Sequence, residues 1–112
     1  MIQRNEDFTG STLADGSRHV TYAGFMLDPR LDLITHSASG FDWGTVSQES
    51  AQLALAIVAA VLGDDAMAVK LYLDYAAHLI SHIQVPNWRL PASEVLAWVQ
   101  DQPKARQLLD RN

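Results

Sequence analysis

The longest apolar run of the chain lies in its middle. From Ala51 to Leu62 the only polar residue is Gln52. Ser47, which precedes the run, is a competent helix N-cap, and Gly63, which follows it, is a typical helix end, so the pattern predicts a first helix between them. A helix that is apolar on every side must be covered on every side. We therefore expect this helix to be either the central element of the core or part of an oligomer interface.

Two more helices are predicted further along the chain. The second begins at Asp64 or Asp65, which suit both an N-cap and the positive end of the helix dipole, and continues to about Gln84. Its apolar residues spread over about 200° of the helical wheel, wider than the roughly 100° that one packing surface needs. Part of this face is expected to be available to a partner. A third helix begins at Pro91, and a last amphipathic turn covers residues 104–109.

Short β-strands are predicted on both sides of this helical region. The runs His19–Tyr22 and Phe25–Leu27 flank Ala23-Gly24, which is typical of a hairpin around a tight turn. A further short strand is predicted at Trp88–Leu90. The fold class that follows is α+β and helix-dominated, with a short antiparallel hairpin or small sheet packed on three to four α-helices.

Length and composition predict one globular domain with a polar leader. Residues 1–17 carry glycines and small hydroxyl residues without a sustained period, so we expect a flexible leader there and a single domain over residues 18–112. The 48% of hydrophobic residues is typical of folded chains. The chain has no cysteine, no signal-peptide pattern and no apolar run near the roughly 20 residues of a membrane span. We expect a protein of the host-cell cytoplasm with no membrane contact.

The net charge of −5 is concentrated in one segment. Residues 28–74 hold seven acidic and two basic residues, while the rest of the chain sums to zero. This balance argues against direct nucleic-acid binding, which relies on lysine and arginine. It predicts an acidic partner-binding surface, formed by Asp28, Asp32, Asp42, Glu49, Asp64 and Asp65.

The segment between the hairpin and the first helix is predicted to be an ordered loop. Its apolar side chains, among them Phe41 and Trp43, are expected to pin it, and its polar residues of interest are Arg30 and His36. Arg30 lies between two aspartates and is expected either to bind an anion or to clamp loop carboxylates internally. Trp43, Trp88 and Trp98 are either core anchors or interface hot spots.

Two sets of residues carry the types needed for catalysis. Asp28, Asp32, His36 and Ser37 include acid, base and nucleophile types, but Gly-x-Ser-x-Gly is absent and hydroxyls in such a loop more often close turns. Asp74, His78 and His82 are spaced along one diagonal of the second helix and are weak metal candidates, without the intervening glutamate of a zinc protease. We therefore expect no catalytic residue, no metal and no cofactor.

Several non-periodic residues agree in order and spacing with a known family. These residues are Leu27–Leu33, His36-Ser37, Ser39–Gly44 and Ala51–Ile57. On them, the chain resembles domain of unknown function 6166 (DUF6166), a family of small bacterial, archaeal and phage proteins. The resemblance covers about residues 18–99 and implies a small hairpin packed on helices, without an established activity. The chain departs from the family at residues 47–50, where relatives usually carry a glycine-rich segment ending in proline.

The resemblance also implies a class of function, because similar members are often carried by phages and mobile elements. Small acidic proteins of such elements frequently disable host defence machinery. We therefore expect a non-catalytic protein-binding module that inhibits a nucleic-acid-handling defence complex, such as a CRISPR effector, as anti-CRISPR proteins do. One alternative is an accessory homodimer that associates through its first or second helix. The other is a metal-dependent enzyme using Asp74, His78 and His82.

Overall fold

A computed structural model describes residues 6–103, which form an antiparallel sheet and three α-helices. The strands are β1 (Asp7–Thr12), β2 (Arg18–Tyr22), β3 (Phe25–Met26) and β4 (Trp88–Pro91); the helices are α1 (Gln48–Leu62), α2 (Asp65–His78) and α3 (Ala92–Gln100). The order of strands in the sheet is β3-β2-β1-β4. The predicted class, α+β and helix-dominated, is confirmed.

Strand β1 occupies part of the predicted leader, so the flexible leader over residues 1–17 is wrong for residues 7–12. β1 lies between β2 and β4: Phe8 pairs with Tyr22 on one side and with Leu90 on the other. Phe8 is fully buried, and its ring is stacked on that of Tyr22. The N-terminal strand is therefore a central element of the single sheet.

Helix α1 is the centre of the core. Ser47 caps it by accepting a hydrogen bond from the Ser50 N–H, and Gly63 ends it in the left-handed conformation at φ 64°. Every residue from Ser50 to Ala59 is buried, and α1 packs against α2 and α3. Of the two expectations for this helix, the central core element is the one found.

Helix α2 is shorter than predicted. Asp64 caps it as expected, but the helix ends at His78 and not near Gln84, and a 3₁₀ turn at Ile80–His82 follows. Ile80 is fully buried, and its carbonyl accepts a hydrogen bond from the N–H of Gly44. The same carbonyl accepts a hydrogen bond from the Ile83 N–H at 3.3 Å, so the 3₁₀ turn is bonded both within itself and to the preceding loop.

The predicted hairpin and the short strand after α2 are both present. Ala23 and Gly24 form the turn between β2 and β3 with positive φ values of 53° and 88°. Strand β4 ends at Pro91, and α3 begins at the next residue. The last amphipathic turn, predicted over residues 104–109, lies outside the described residues. No helix within residues 6–103 has the length and apolarity needed to cross a membrane.

Candidate functional site

The loop between β3 and α1 is held by Gln52, the single polar residue of the apolar run. Its side chain is completely buried. Gln52 Oε1 accepts hydrogen bonds from the backbone N–H groups of His36 and Ser37, at 2.7 and 3.0 Å. Gln52 Nε2 donates to the carbonyls of Pro29 and Ile34, at 2.6 and 3.0 Å. One side chain of the core thus fixes the path of the loop.

The ring of His36 joins the same loop to both long helices. Its Nδ1 lies 2.8 Å from Gln48 Oε1 on α1, and its Nε2 lies 2.7 Å from the Tyr72 hydroxyl on α2. Burial raises the pKa of Tyr72, so this group is a neutral hydroxyl, which can donate or accept. The Gln48 oxygen can only accept, so with a neutral ring Nδ1 donates to it and Nε2 accepts from the Tyr72 hydroxyl. His36 has a structural task on both of its ring nitrogens.

The residues with acid, base and nucleophile types are not joined into a relay. Ser37 donates its hydroxyl to the Gly40 carbonyl at 3.2 Å. Asp28 accepts from the Arg30 N–H at 2.8 Å, and Asp32 accepts from the Arg30 guanidinium. Each group therefore serves the loop or its attachment to the helices.

Arg30 is an internal clamp, as one of its two interpretations expected. Its guanidinium donates two hydrogen bonds to Asp32, both at 3.0 Å, and two to Asp65, at 3.1 and 2.9 Å. These bonds raise the pKa of Arg30 and hold the pKa of Asp32 below its usual value. The clamp ties the loop to the first turn of α2, and it occupies the fork that an external anion would need.

An open groove of about 910 Å³ lies at one end of the sheet. It is lined by the turn between β1 and β2, by the second half of the loop, by the segment after the 3₁₀ turn, and by Glu49 of α1. The lining residues are Gly16–His19, Ser39–Thr45, Glu49 and Ile83–Pro86. Three stretches that are distant in sequence thus share one concave surface.

The inner wall of the groove is an arginine stacked on a buried tryptophan. The guanidinium carbon of Arg18 lies 4.4 Å from the centre of the Trp43 ring. Arg18 Nη1 also donates to Asp42 Oδ1 at 2.8 Å and to the Trp43 carbonyl at 3.1 Å. The Trp43 indole N–H donates to the Val85 carbonyl at 3.0 Å. These contacts hold both side chains in place without a ligand, and they make Trp43 a core anchor.

The charges of the groove leave a negative excess. Asp42 and Glu49 contribute two carboxylates, and Arg18 contributes one positive charge. Asp42 is paired with Arg18, whereas the side chain of Glu49 makes neither a hydrogen bond nor an ion pair with any residue in the described part of the chain. Glu49 is therefore the charge that remains for a ligand.

The predicted acidic surface is divided by the structure. Asp42 and Glu49 lie at the groove, together with Phe41 and Trp43 of the loop motif. The other four carboxylates have backbone or arginine partners: Asp28 and Asp32 at Arg30, Asp65 at Arg30, and Asp64 as the cap of α2. Most of the predicted surface carboxylates are therefore hydrogen-bonded within the fold.

The weak metal candidates do not lie on one helix. Asp74 and His78 are in α2, but His82 belongs to the 3₁₀ turn, so the predicted diagonal of Asp74, His78 and His82 is wrong. Between residues 6 and 103, no three histidine, aspartate or glutamate side chains are close enough together to hold a metal ion.

Sequence reasoning missed two parts of this site. Arg18 and His19 lie at the groove, although the sequence analysis gave Arg18 no role and placed His19 only in a strand. The role of Gln52 was also missed, and here a signal existed: a lone amide in an apolar helix must find hydrogen-bond partners in the core. Its partners are 15 to 23 residues away in sequence, which no local pattern shows.

The comparisons with known proteins give a family and no function. A model described as a family of unknown function, DUF6166, matches residues 8–101. No curated protein and no solved structure matches the chain. The matched range includes nearly all of β1, which the resemblance in the sequence did not reach, and every residue that lines the groove.

Proposed function

We propose that this chain, which belongs to the DUF6166 family of unknown function, is a non-catalytic module that binds a partner protein in its groove. The groove carries the proposal, because its volume of about 910 Å³ is in the range of known ligand sites. Its inner wall is already ordered by Arg18 and Trp43, so binding does not have to immobilise those two side chains.

A protein segment is the kind of ligand that this groove suits. The groove is open and runs across three chain segments, as a surface for an extended ligand would. Arginine is enriched in the parts of protein interfaces that contribute most to binding, and the partly exposed side chain of Arg18 is held in place by the buried Trp43 beneath it. The carboxylate of Glu49 favours a lysine or arginine on the partner.

The polar groups of the loop support a non-catalytic role. His36 uses both ring nitrogens for Gln48 and Tyr72, and Ser37 bonds to the Gly40 carbonyl. A nucleophile needs an adjacent base that is oriented towards it. The loop instead uses these residues to position the groove wall that contains Phe41 and Trp43.

Our narrower proposal concerns the partner. A protein of a phage or mobile element that acts in the host cytoplasm would meet defence complexes whose nucleic-acid sites are rich in lysine and arginine. A CRISPR effector is one such complex. The net charge of −5 supports attraction to a basic surface of this kind, and the excess carboxylate of the groove supports contact with it.

The experiment measures binding of the full chain to a purified effector complex, at about 0.05 M and about 0.5 M salt. We expect Glu49→Lys to weaken binding by at least about tenfold at the lower salt. The matched control is Glu94→Lys, which makes the same change at an exposed position in the first turn of α3. Equal binding by the two variants would contradict the proposal that the partner binds in the groove. Effector activity that the wild-type chain leaves unchanged would contradict the proposal that the chain is an inhibitor.

A further inference from the structure

We propose that two copies of this chain associate by pairing β3 with β3 around a two-fold axis at Met26. This inference is independent of the groove. It concerns one edge of the sheet, where β3 is the outermost strand among the described residues. The pairing would join two four-stranded sheets into one continuous sheet.

The hydrogen bonds of the hairpin show which backbone groups face this open edge. Leu27 donates its N–H to the Val20 carbonyl, so these two residues form a hydrogen-bonded pair. Bonded and non-bonded pairs alternate along an antiparallel ladder. Thr21 and Met26, the next pair in the register, are therefore a non-bonded pair. Both the N–H and the C=O of Met26 point away from β2, towards the edge.

A second copy supplies the matching groups by symmetry. In an antiparallel pair that is centred on Met26, each Met26 N–H donates to the other Met26 carbonyl. One outward-facing residue on each chain is enough for these two bonds. A two-fold axis at this residue thus satisfies the edge groups of both copies with the same contact.

The side chains of β3 are apolar and unusually exposed. Phe25 is 78% exposed and Met26 is 66% exposed. Edge strands of soluble monomers are usually protected by charged residues, proline or a covering element. The length of two residues is itself a limited protection, but β3 carries neither a charge nor a proline. In the paired arrangement, Met26 of one copy lies opposite Met26 of the other.

The other edge of the sheet has the protection that β3 lacks. On β4, the outward-facing residues are Arg89, which is charged and exposed, and Pro91, which has no N–H to donate. Arg89 also forms an ion pair with Asp7 at 3.3 Å. With a single open edge on the described sheet, pairing gives a closed dimer and not a fibre.

The size and charge of the contact set its strength. An aromatic side chain buries about 150–250 Å², so the two residues from each copy fall short of the roughly 1,200 Å² that stable interfaces begin with. We therefore expect a weak dimer that depends on concentration. Both copies carry a net charge of −5, so they repel each other as they approach. Salt should screen this repulsion and strengthen the dimer, whereas it weakens binding at the groove.

The test is sedimentation velocity of the full chain, up to about 1 mM protein, at about 0.05 M and about 0.5 M salt. Met26→Lys places like charges at the axis, and Met26→Pro removes the outward N–H, which β2 does not use. We expect both to raise the dimer dissociation constant by at least about tenfold. Val46→Lys is the matched control at a 90% exposed residue in the loop before α1, and it should change nothing.

Leu73→Lys tests the rival surface, since Val69 and Leu73 are exposed one turn apart on α2. A dimer that breaks with Leu73→Lys and persists with Met26→Lys would overturn the proposal. A chain that stays monomeric at the highest concentration would do the same. A dimer that weakens as salt rises would show that attraction between charged groups, and not the pairing of β3, holds the two copies together. None of these outcomes bears on Glu49, so the two proposals fail separately.

Discussion

At the scale of single residues, the most consequential side chain is Gln52. It is an amide in the middle of the core, and its four hydrogen bonds all go to backbone groups of one loop. Gln52→Leu would fill the same space without a polar atom. Because buried backbone groups left without partners cost about 1–3 kcal/mol each, we expect the free energy of unfolding to fall by about 3–5 kcal/mol. Urea denaturation followed by far-ultraviolet circular dichroism measures this change.

The matched control is the same substitution at Gln48, one turn earlier on α1. Gln48 is exposed and bonds only to the His36 ring. Gln48→Leu should therefore lower the free energy of unfolding by less than about 1 kcal/mol. Similar losses in the two variants would show that Gln52 does not hold the loop through its hydrogen bonds.

Asp32 gives a prediction on pH. Hydrogen bonds from Arg30 hold the pKa of Asp32 in the folded chain below its unfolded value. Its stabilising contribution is therefore complete above the unfolded pKa, about 3.9, and is lost as the pH falls through the folded pKa. We expect Asp32→Asn to be less stable than the wild type at pH 7, with a difference that shrinks below about pH 4. Urea denaturation across this pH range measures it.

The control for this prediction is Glu94→Gln, an exposed carboxylate in the first turn of α3 that has no arginine partner among the described residues. The difference in the free energy of unfolding between Glu94→Gln and the wild type should not shrink in the same way as the pH falls. A deficit of Asp32→Asn that stays constant from pH 7 to acid would mean that the clamp does not depend on the charge of this carboxylate.

At the scale of elements, β1 and β4 depend on a residue without a side chain. Gly10 pairs with Trp88, and the Trp88 indole occupies the space where a Cβ of residue 10 would lie. Gly10→Ala must displace an indole that itself packs edge-on against Trp43. We expect a loss of about 1–3 kcal/mol in the free energy of unfolding, measured by denaturation with tryptophan fluorescence.

Thr9→Ala is the control, since Thr9 is the neighbouring residue on the exposed face of β1. Its effect should stay within about 0.5 kcal/mol, as for most surface substitutions. If Gly10→Ala were as mild as Thr9→Ala, the indole would have room to move, and the close packing of the two strands would not be needed.

The elements differ in how far the sequence predicted them. Helix α1 was predicted almost to the residue, because Ser47 and Gly63 are local signals that act on their own helix. β1 was missed because its core-facing positions are Phe8 and Gly10. With glycine at one of them, the alternation of apolar and polar residues that is typical of a strand cannot be recognised. The true end of α2 was missed because no glycine or proline stands between His78 and Pro86 to mark it.

At the scale of the whole molecule, the net charge follows from the composition, but the sequence does not show which carboxylates are paired with arginines. Composition gives −5, and the acidic segment is real. The pairing of Arg18 with Asp42 and of Arg30 with Asp65 spans 24 and 35 residues, so counting along the chain does not show which carboxylates are neutralised. The candidate site was therefore predicted in part: its loop and two of its acids were, and its arginine was not.

The strand order predicts that the chain unfolds as one cooperative unit from β1 to β4. β1, near the start of the chain, is hydrogen-bonded on both sides, and β4 reaches the sheet only through it. A chain that begins at Arg18, the predicted start of the domain, lacks the fully buried Phe8 and separates β4 from β2. Since losing one core phenylalanine alone costs about 3–5 kcal/mol, we expect this chain to show no cooperative thermal unfolding.

Circular dichroism and tryptophan fluorescence test this, because the helices supply the circular dichroism signal while Trp43, Trp88 and Trp98 pack in or against the core. For the full chain the two transitions should coincide. Adding a synthetic peptide of residues 1–17 should restore the transition to the shortened chain, because it supplies β1 as a separate strand. A shortened chain that unfolds cooperatively without the peptide would show that the fold does not need β1.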